Sequence, residues 1–309
     1  MFESHQKEVF RMTQGIRSVA VLGCGQMGTG IAQCIARDAR RNVFLHDSDQ
    51  KQLVRALQKL NAWAELQVSR NKWTEEEAGT FLKRIIAAGS LKDVDQTDFV
   101  IEATVEDFQE KSKLFKTTCE FLKDKPEVII ATNTSSLSIT RLAETTDRPS
   151  RFCGMHFFNP VPVMKVVELV RGAQSTQETV ETTASMAQIM GKSVAFVQDS
   201  PGFVSNRLLM PYINEAALAV HEGLASVADI DHIMREGCRM PMGPLELADF
   251  IGLDTCLAIM RTLGELGETK FAVAPSIVEL VKERKLGKKT GQGFYAYTPD
   301  SIEYPLGHR

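Results

Sequence analysis

Short apolar runs alternate with longer stretches whose apolar residues recur every three or four positions through the first two-thirds of the chain. Ser18–Leu22 (SVAVL) and residues 43–46 (VFLH) predict two strands, with a helix over 27–37 carrying Met27, Ile31 and Ile35 between them. Residues 50–70 predict a long helix, with Leu53, Leu57, Leu60 and Ala64 on one face. Thr74 followed by Glu77 has the spacing of a capping box and predicts a further helix that fades near Gly89. Residues 99–101, 128–131, 152–158, 166–170 and 194–197 are more short apolar runs, and helical patterns at 108–122 and 176–190 lie between some of them. Alternation of this kind predicts an α/β unit with a mostly parallel, doubly wound sheet. The pattern changes at Asp199-Ser200-Pro201-Gly202, where Pro-Gly is a strong punctuator. Beyond it nearly all the patterns are helical, at about 204–222, 227–236, 251–265 and 275–284. We therefore divide the chain into an α/β domain, 1–200, and an all-α domain, 201–309.

Composition narrows the classes of function. The 309 residues are 43% hydrophobic and 24% charged, enough apolar material for a sizeable core. A net charge of −3 gives no global electrostatic case for nucleic acid or a membrane surface as partner. No apolar run approaches the length of a membrane span. Six scattered cysteines, with no C-x-x-C pair, argue against a zinc site or a disulfide framework and fit a reducing compartment. The opening MFESHQKEVFRMTQG lacks the apolar core of a secretory signal and reads as a polar lead-in, favouring the cytoplasm.

The first strand runs straight into Gly23-Cys24-Gly25-Gln26-Met27-Gly28, a G-x-G-x-x-G between strand and helix. Gly23 permits the tight turn, Gly25 lets the backbone approach a pyrophosphate, and Gly28 allows close helix–strand packing. Asp47 ends the second strand, 19 residues past Gly28, where an acid suits the ribose hydroxyls of an adenosine. An acid there disfavours a 2′-phosphate, so the pattern selects NAD over NADP.

Two further segments carry candidate chemistry. Asn133-Thr134-Ser135-Ser136 follows the run at 128–131, and ligands of parallel sheets sit outside the carboxyl ends of the strands. Met155-His156-Phe157-Phe158-Asn159-Pro160 places a histidine in partly apolar surroundings, where a neutral imidazole can act as a base. Glu168 lies in the next apolar run, and a Pro-rich turn between the two runs can bring it to His156. A buried glutamate needs a partner. From spacing alone, both a structural pair and a catalytic pair stay open.

Taken together with Pro201-Gly202-Phe203-x-x-Asn206-Arg207, Pro241-Met242-Gly243-Pro244 and Gly287-Lys288-Lys289-Thr290-Gly291-Gln292-Gly293-Phe294-Tyr295, these motifs resemble the L-3-hydroxyacyl-CoA dehydrogenases, which include the 3-hydroxybutyryl-CoA dehydrogenases. The resemblance runs from about residue 16 through Tyr295. It implies a Rossmann-type N-terminal domain, a helical C-terminal domain, a homodimer formed through the latter, NAD as cofactor and no metal. It implies reversible oxidation of a short L-3-hydroxyacyl-CoA to the 3-ketoacyl-CoA. His156 would be the base, Glu168 its partner, and Ser135 and Asn206 would bond the reacting oxygen. Gly23, Gly25, Gln26, Met27, Gly28, Asp47, Glu106, Lys111, Asn133, Asn159 and Lys289 would line the cofactor. The positions at which relatives contact coenzyme A carry Trp63 and Arg70, a departure for the first of them. That leaves open an acyl group held by an acyl carrier protein, or a free hydroxy acid. A non-catalytic NAD-binding scaffold is disfavoured, because His156, Glu168, Ser135 and Asn206 are all present.

Overall fold

The computed structural model describes residues 13–268 and 271–298, so most of the polar lead-in lies outside the described residues. The chain divides into two compact units, Met1–Ser200 and Pro201–Arg309.

The first unit is built on eight strands: β1 (Ser18–Leu22), β2 (Asn42–His46), β3 (Ile85–Ala87), β4 (Phe99–Glu102), β5 (Ile129–Thr132), β6 (Phe152–Phe157), β7 (Val166–Arg171) and β8 (Ser193–Gln198). They form one sheet in the order β3-β2-β1-β4-β5-β6-β7-β8. Every pairing is parallel except β6 with β7. Every residue of β1, β4 and β5 is buried, which is why these strands read as continuous apolar runs. Reversal of strand order beside β1 opens a crevice at the carboxyl ends of β1 and β4, the usual place for a dinucleotide.

Helices α1 (Gln26–Cys34), α2 (Gln50–Ser69), α3 (Glu75–Lys83), α4 (Phe108–Phe121), α5 (Ile139–Ala143) and α6 (Gln177–Ile189) complete the unit. Their starts follow from local chemistry. Asp49 accepts from the Lys51 N–H at α2, Thr74 and Glu77 close a full capping box at α3, and Asp107 accepts from the Gln109 and Glu110 N–H groups at α4. Helix α2 buries Leu53, Ala56, Leu60 and Ala64. Two details differ from the sequence expectation. Strand β3 is three residues long, too short to show a period. Helix α1 ends at Cys34 and continues as a wider π turn, Ile35–Ala39, closed by Arg40 in the left-handed region at φ 52°.

The second unit holds α7 (Ser205–His221), α8 (Val227–His232), α9 (Pro244–Ile251), α10 (Leu253–Gly264) and α11 (Pro275–Lys282). Its own core includes Met210, Ile213, Leu245, Leu253, Met260, Leu263 and Ile277. The expected single helix at 251–265 is α10, and α9 precedes it as a separate helix, broken off by Gly252 at φ 101°. Asn214 clamps this core: its amide donates to the Ala272 carbonyl and its oxygen accepts from the Ala274 N–H, both at 2.8 Å. Among the described residues no helix is long and apolar enough to cross a membrane, and no cluster of three or more candidate ligands could hold a metal ion.

Candidate active site

The glycine loop joins β1 to α1. Gly23 has φ +105°, and a Cβ there would lie 2.4 Å from the Ala103 carbonyl oxygen of the neighbouring strand connection. A Cβ on Gly28 would lie 1.8 Å from the Gly23 carbonyl oxygen, so the helix seats against the loop only because residue 28 is bare. Gly25 faces open space, with nothing within 4 Å of where its Cβ would be. It is the N-cap of α1, and no side chain caps that end or adds an acid to its first turn. Amides of this kind are available to an anion.

Beside the loop lies a cavity of about 720 Å³ lined by Gly23, Gly25, Gln26, Met27, Asp47, Thr104 and Val105, among others. Its size and place at the ends of β1, β2 and β4 suit an adenosine diphosphate moiety. Asp47 is oriented by two backbone donors: its Oδ2 accepts from the Cys24 N–H at 2.7 Å and its Oδ1 from the Asp49 N–H at 2.8 Å. Each oxygen keeps acceptor capacity for a ribose hydroxyl. The bare Gly25, the uncapped helix and the oriented Asp47 fit a dinucleotide.

His156 and Glu168 come together because β6 and β7 are antiparallel and in register at these two residues. The Nδ1 of His156 lies 2.7 Å from Glu168 Oε2, and both side chains are nearly buried. A carboxylate only accepts, so Nδ1 carries the proton of this bond, and in the neutral imidazole the lone pair is then on Nε2. The Phe158 ring sits 5.0 Å from the imidazole, centroid to centroid. Asn133, just past β5, fixes the strand that carries the histidine: its Oδ1 accepts from the Phe157 N–H at 2.9 Å. At the far end of that segment, Asn159 Oδ1 accepts from the Gln26 amide at 2.9 Å, tying it to the glycine loop.

A second polar cluster lies after β4. Glu106 Oε1 is within hydrogen-bond reach of the Thr134 hydroxyl (2.7 Å), the Ser135 N–H (2.8 Å), the Ser136 N–H (2.9 Å), the Ser136 hydroxyl (2.9 Å) and the Ser135 hydroxyl (3.2 Å). Burial pushes the Glu106 carboxyl up, but the Lys111 charge and these donors outweigh it and hold the carboxyl below its ordinary range. The Ser135 hydroxyl is the longest of the five contacts and therefore the most easily turned to another acceptor.

Lys111, which the resemblance offers as a cofactor contact, has only 1% of its side chain exposed. Its ammonium is bound to Glu102, so any effect on a ligand runs through Glu106. Glu102 itself was not singled out in the sequence. A charged residue closing an apolar strand, nine positions before Lys111, was the available signal.

Other expected residues have different settings. Trp63 packs edge-on against Trp73 (4.9 Å) and against Phe81 (5.3 Å), with the Arg37 guanidinium 5.8 Å from its ring. That is a packing role, which leaves only part of the indole for a ligand. Arg70 is the exposed C-cap of α2. In the second unit, Asn206 lies in the first turn of α7, and its N–H donates to the Gly202 carbonyl at 3.1 Å. Lys289 belongs to the turn Lys288–Thr290 and its ammonium pairs with Asp254.

Comparison with known proteins identifies the assembly. Residues 18–200 match the family model described as 3-hydroxyacyl-CoA dehydrogenase, NAD binding domain, and residues 202–297 match that of the 3-hydroxyacyl-CoA dehydrogenase C-terminal domain. The chain is 47% identical to a 3-hydroxybutyryl-CoA dehydrogenase of Bradyrhizobium diazoefficiens, over 93% of this chain and 97% of the relative. It is 41% identical to the mitochondrial hydroxyacyl-coenzyme A dehydrogenase of Sus scrofa, over 91% of each. Among solved structures, the (S)-3-hydroxybutyryl-CoA dehydrogenase of Ralstonia eutropha superposes with a TM-score of 0.87 at 42% identity, covering 92% of this chain and all of that one. With both family models matched in order, the chain belongs to the 3-hydroxyacyl-CoA dehydrogenases, a family of NAD-dependent oxidoreductases.

Proposed function

We propose that this protein oxidises a short L-3-hydroxyacyl-CoA, of the 3-hydroxybutyryl class, to the 3-ketoacyl-CoA, and runs the reverse reduction when the cofactor is NADH. The observation that carries the reading is the buried His156–Glu168 pair, held at 2.7 Å in the same unit as the glycine loop and its cavity. Gly23, Gly25, Gln26, Met27 and Gly28 would cradle the pyrophosphate, and Asp47 would take the ribose hydroxyls. When bound, NAD supplies the acceptor for the hydride that leaves C3 of the substrate.

The protein's part is the proton and the oxygen. Nε2 of His156 takes the hydroxyl proton, and Glu168 offsets the charge that develops on the imidazolium. Asn133 and Asn159 keep the end of the β6 segment in place just past the histidine. Ser135 and Asn206 would donate to the substrate oxygen, stabilising it as the carbonyl forms and receiving it in reverse. Lys289 would complete the cofactor's surroundings, and Arg70 would meet a phosphate of coenzyme A. The working form would be a homodimer built through the helical unit.

The test is NADH production from (S)-3-hydroxybutyryl-CoA, with His156→Gln beside the wild type. Loss of a general base should lower kcat by about 10²–10⁴-fold, while NADH affinity, read by fluorescence, stays at the wild-type value. An active His156→Gln variant would sink the assignment of the base. Wild-type protein that binds NADH but turns over only an acyl carrier protein thioester would move the substrate to that carrier.

A further inference from the structure

The end of β4 carries a carboxylate that the chemistry above does not use. Glu102 is fully buried. Its Oε1 accepts from the Thr104 N–H (2.6 Å), the Thr104 hydroxyl (2.6 Å) and the Lys111 ammonium (2.5 Å), and its Oε2 from the Thr132 hydroxyl (2.5 Å). The same ammonium lies 3.7 Å from Glu106 Oε2. Three charges therefore stand in line: a buried anion, a buried cation, and an anion whose side chain is 36% exposed.

A buried ammonium must stay with a carboxylate, because leaving it unpaired is costly. Two carboxylates compete for this one. The distances show that Glu102 holds it, with Glu106 beyond direct hydrogen-bond range. The consequence lies on the other side of Glu106. Paired with Lys111 only at 3.7 Å and only through Oε2, Glu106 keeps Oε1 among the donors of Thr134, Ser135 and Ser136. That contact fixes the loop from which Ser135 would reach the substrate oxygen.

We propose that Glu102 is a positioning residue for the reaction: by holding Lys111 it keeps the ammonium from capturing Glu106, and so keeps the Thr134–Ser136 loop where Ser135 can serve the substrate. The inference rests on the role given to Ser135 under the proposed function. It adds a division of labour in which Lys111 acts at second hand and Glu102 sets where it sits.

Glu102→Gln keeps the shape and the acceptor oxygen but removes the charge. Lys111 then swings to Glu106 and draws it off the loop. We expect kcat to fall about tenfold, as for a small misplacement of a reacting contact. Removing the cation as well, in Glu102→Gln/Lys111→Met, leaves nothing to capture Glu106. Its kcat should be at least about threefold above that of the single variant, a non-additivity that a purely structural role does not give. Should the Gln form not fold, Glu102→Asp carries the test. It keeps the charge, so kcat should stay within about threefold of wild type even though the shortened side chain leaves a void and lowers Tm.

Ser135→Ala is measured alongside. If it is impaired while Glu102→Gln turns over at the wild-type rate, the proposal fails and the proposed function stands. If Ser135→Ala is fully active, the role given to Ser135 fails and takes this proposal with it. A double variant no better than the single, or a tenfold kcat loss in Glu102→Asp, assigns Glu102 to stability alone.

Discussion

The ionisation of Glu106 is decided by its neighbours against its burial. Desolvation raises its pKa, and the Lys111 charge with the donors of Thr134, Ser135 and Ser136 lowers it by more. Its folded pKa therefore lies below the ordinary 4.5. The sign of the linkage follows: the stability it contributes is complete above 4.5 and is lost as pH falls through the lower folded value. Unfolding followed by circular dichroism should show less acid sensitivity below that pH in Glu106→Gln than in wild type. Equal acid sensitivity of the two proteins would show that Glu106 is not depressed by its surroundings. At this scale the sequence was partly readable. His156 and Glu168 could be paired in advance because two extended runs and a Pro-rich turn bring positions 12 apart together. Lys111 was visible only as a motif position, since a charged residue closing the β4 run hints at a buried partner without saying which lysine it is. Burial of a charge is a property of the folded neighbourhood, and pattern along the chain does not carry it.

Among the elements, the seat of α1 makes the sharpest demand on one residue. Because a Cβ at position 28 would lie 1.8 Å from the Gly23 carbonyl oxygen, Gly28→Ala forces either the helix or the loop to move. Overpacking of this kind costs about 1–3 kcal/mol. The shift also moves the amides of α1 that would face the pyrophosphate. The expected result is a lower urea midpoint together with NADH binding weakened at least about tenfold, since 1.4 kcal/mol is a factor of ten. A variant that lost stability and kept its NADH affinity would separate the loop's packing from its binding role. The elements themselves were legible where a period or a cap marks them, as in α2 with its buried Leu53, Leu60 and Ala64, and α3 with its capping box. They were not legible where length or conformation hides them. Strand β3 is three residues long, and the break between α9 and α10 rests on a single glycine at φ 101°.

For the molecule as a whole, the class of each part was readable because strands and helices bury apolar surface with different periods. Seven of the eight strands coincide with short apolar runs in the sequence, and the helical unit follows the long patterns after residue 200. Association is a different kind of property, since an interface is written on the surface rather than in the core. The helical unit leaves several large apolar side chains exposed: Val204 at 49% and Leu208 at 68%, one turn apart at the start of α7, with Leu224 at 78% and Ile233 at 56% beyond it. We assign the contact of the proposed homodimer to these side chains. The proposed homodimer would sediment at twice 34.3 kDa at micromolar concentration. Introducing a charge at an apolar contact without a partner is costly. Leu208→Glu and Ile233→Glu should thus shift the mass toward 34.3 kDa while leaving NADH binding, whose glycine loop and Asp47 lie in the first unit, within about threefold of wild type. A wild-type protein that sediments at the single mass would remove the dimer from the proposal. Charge variants that stay dimeric would place the interface on another face of the chain.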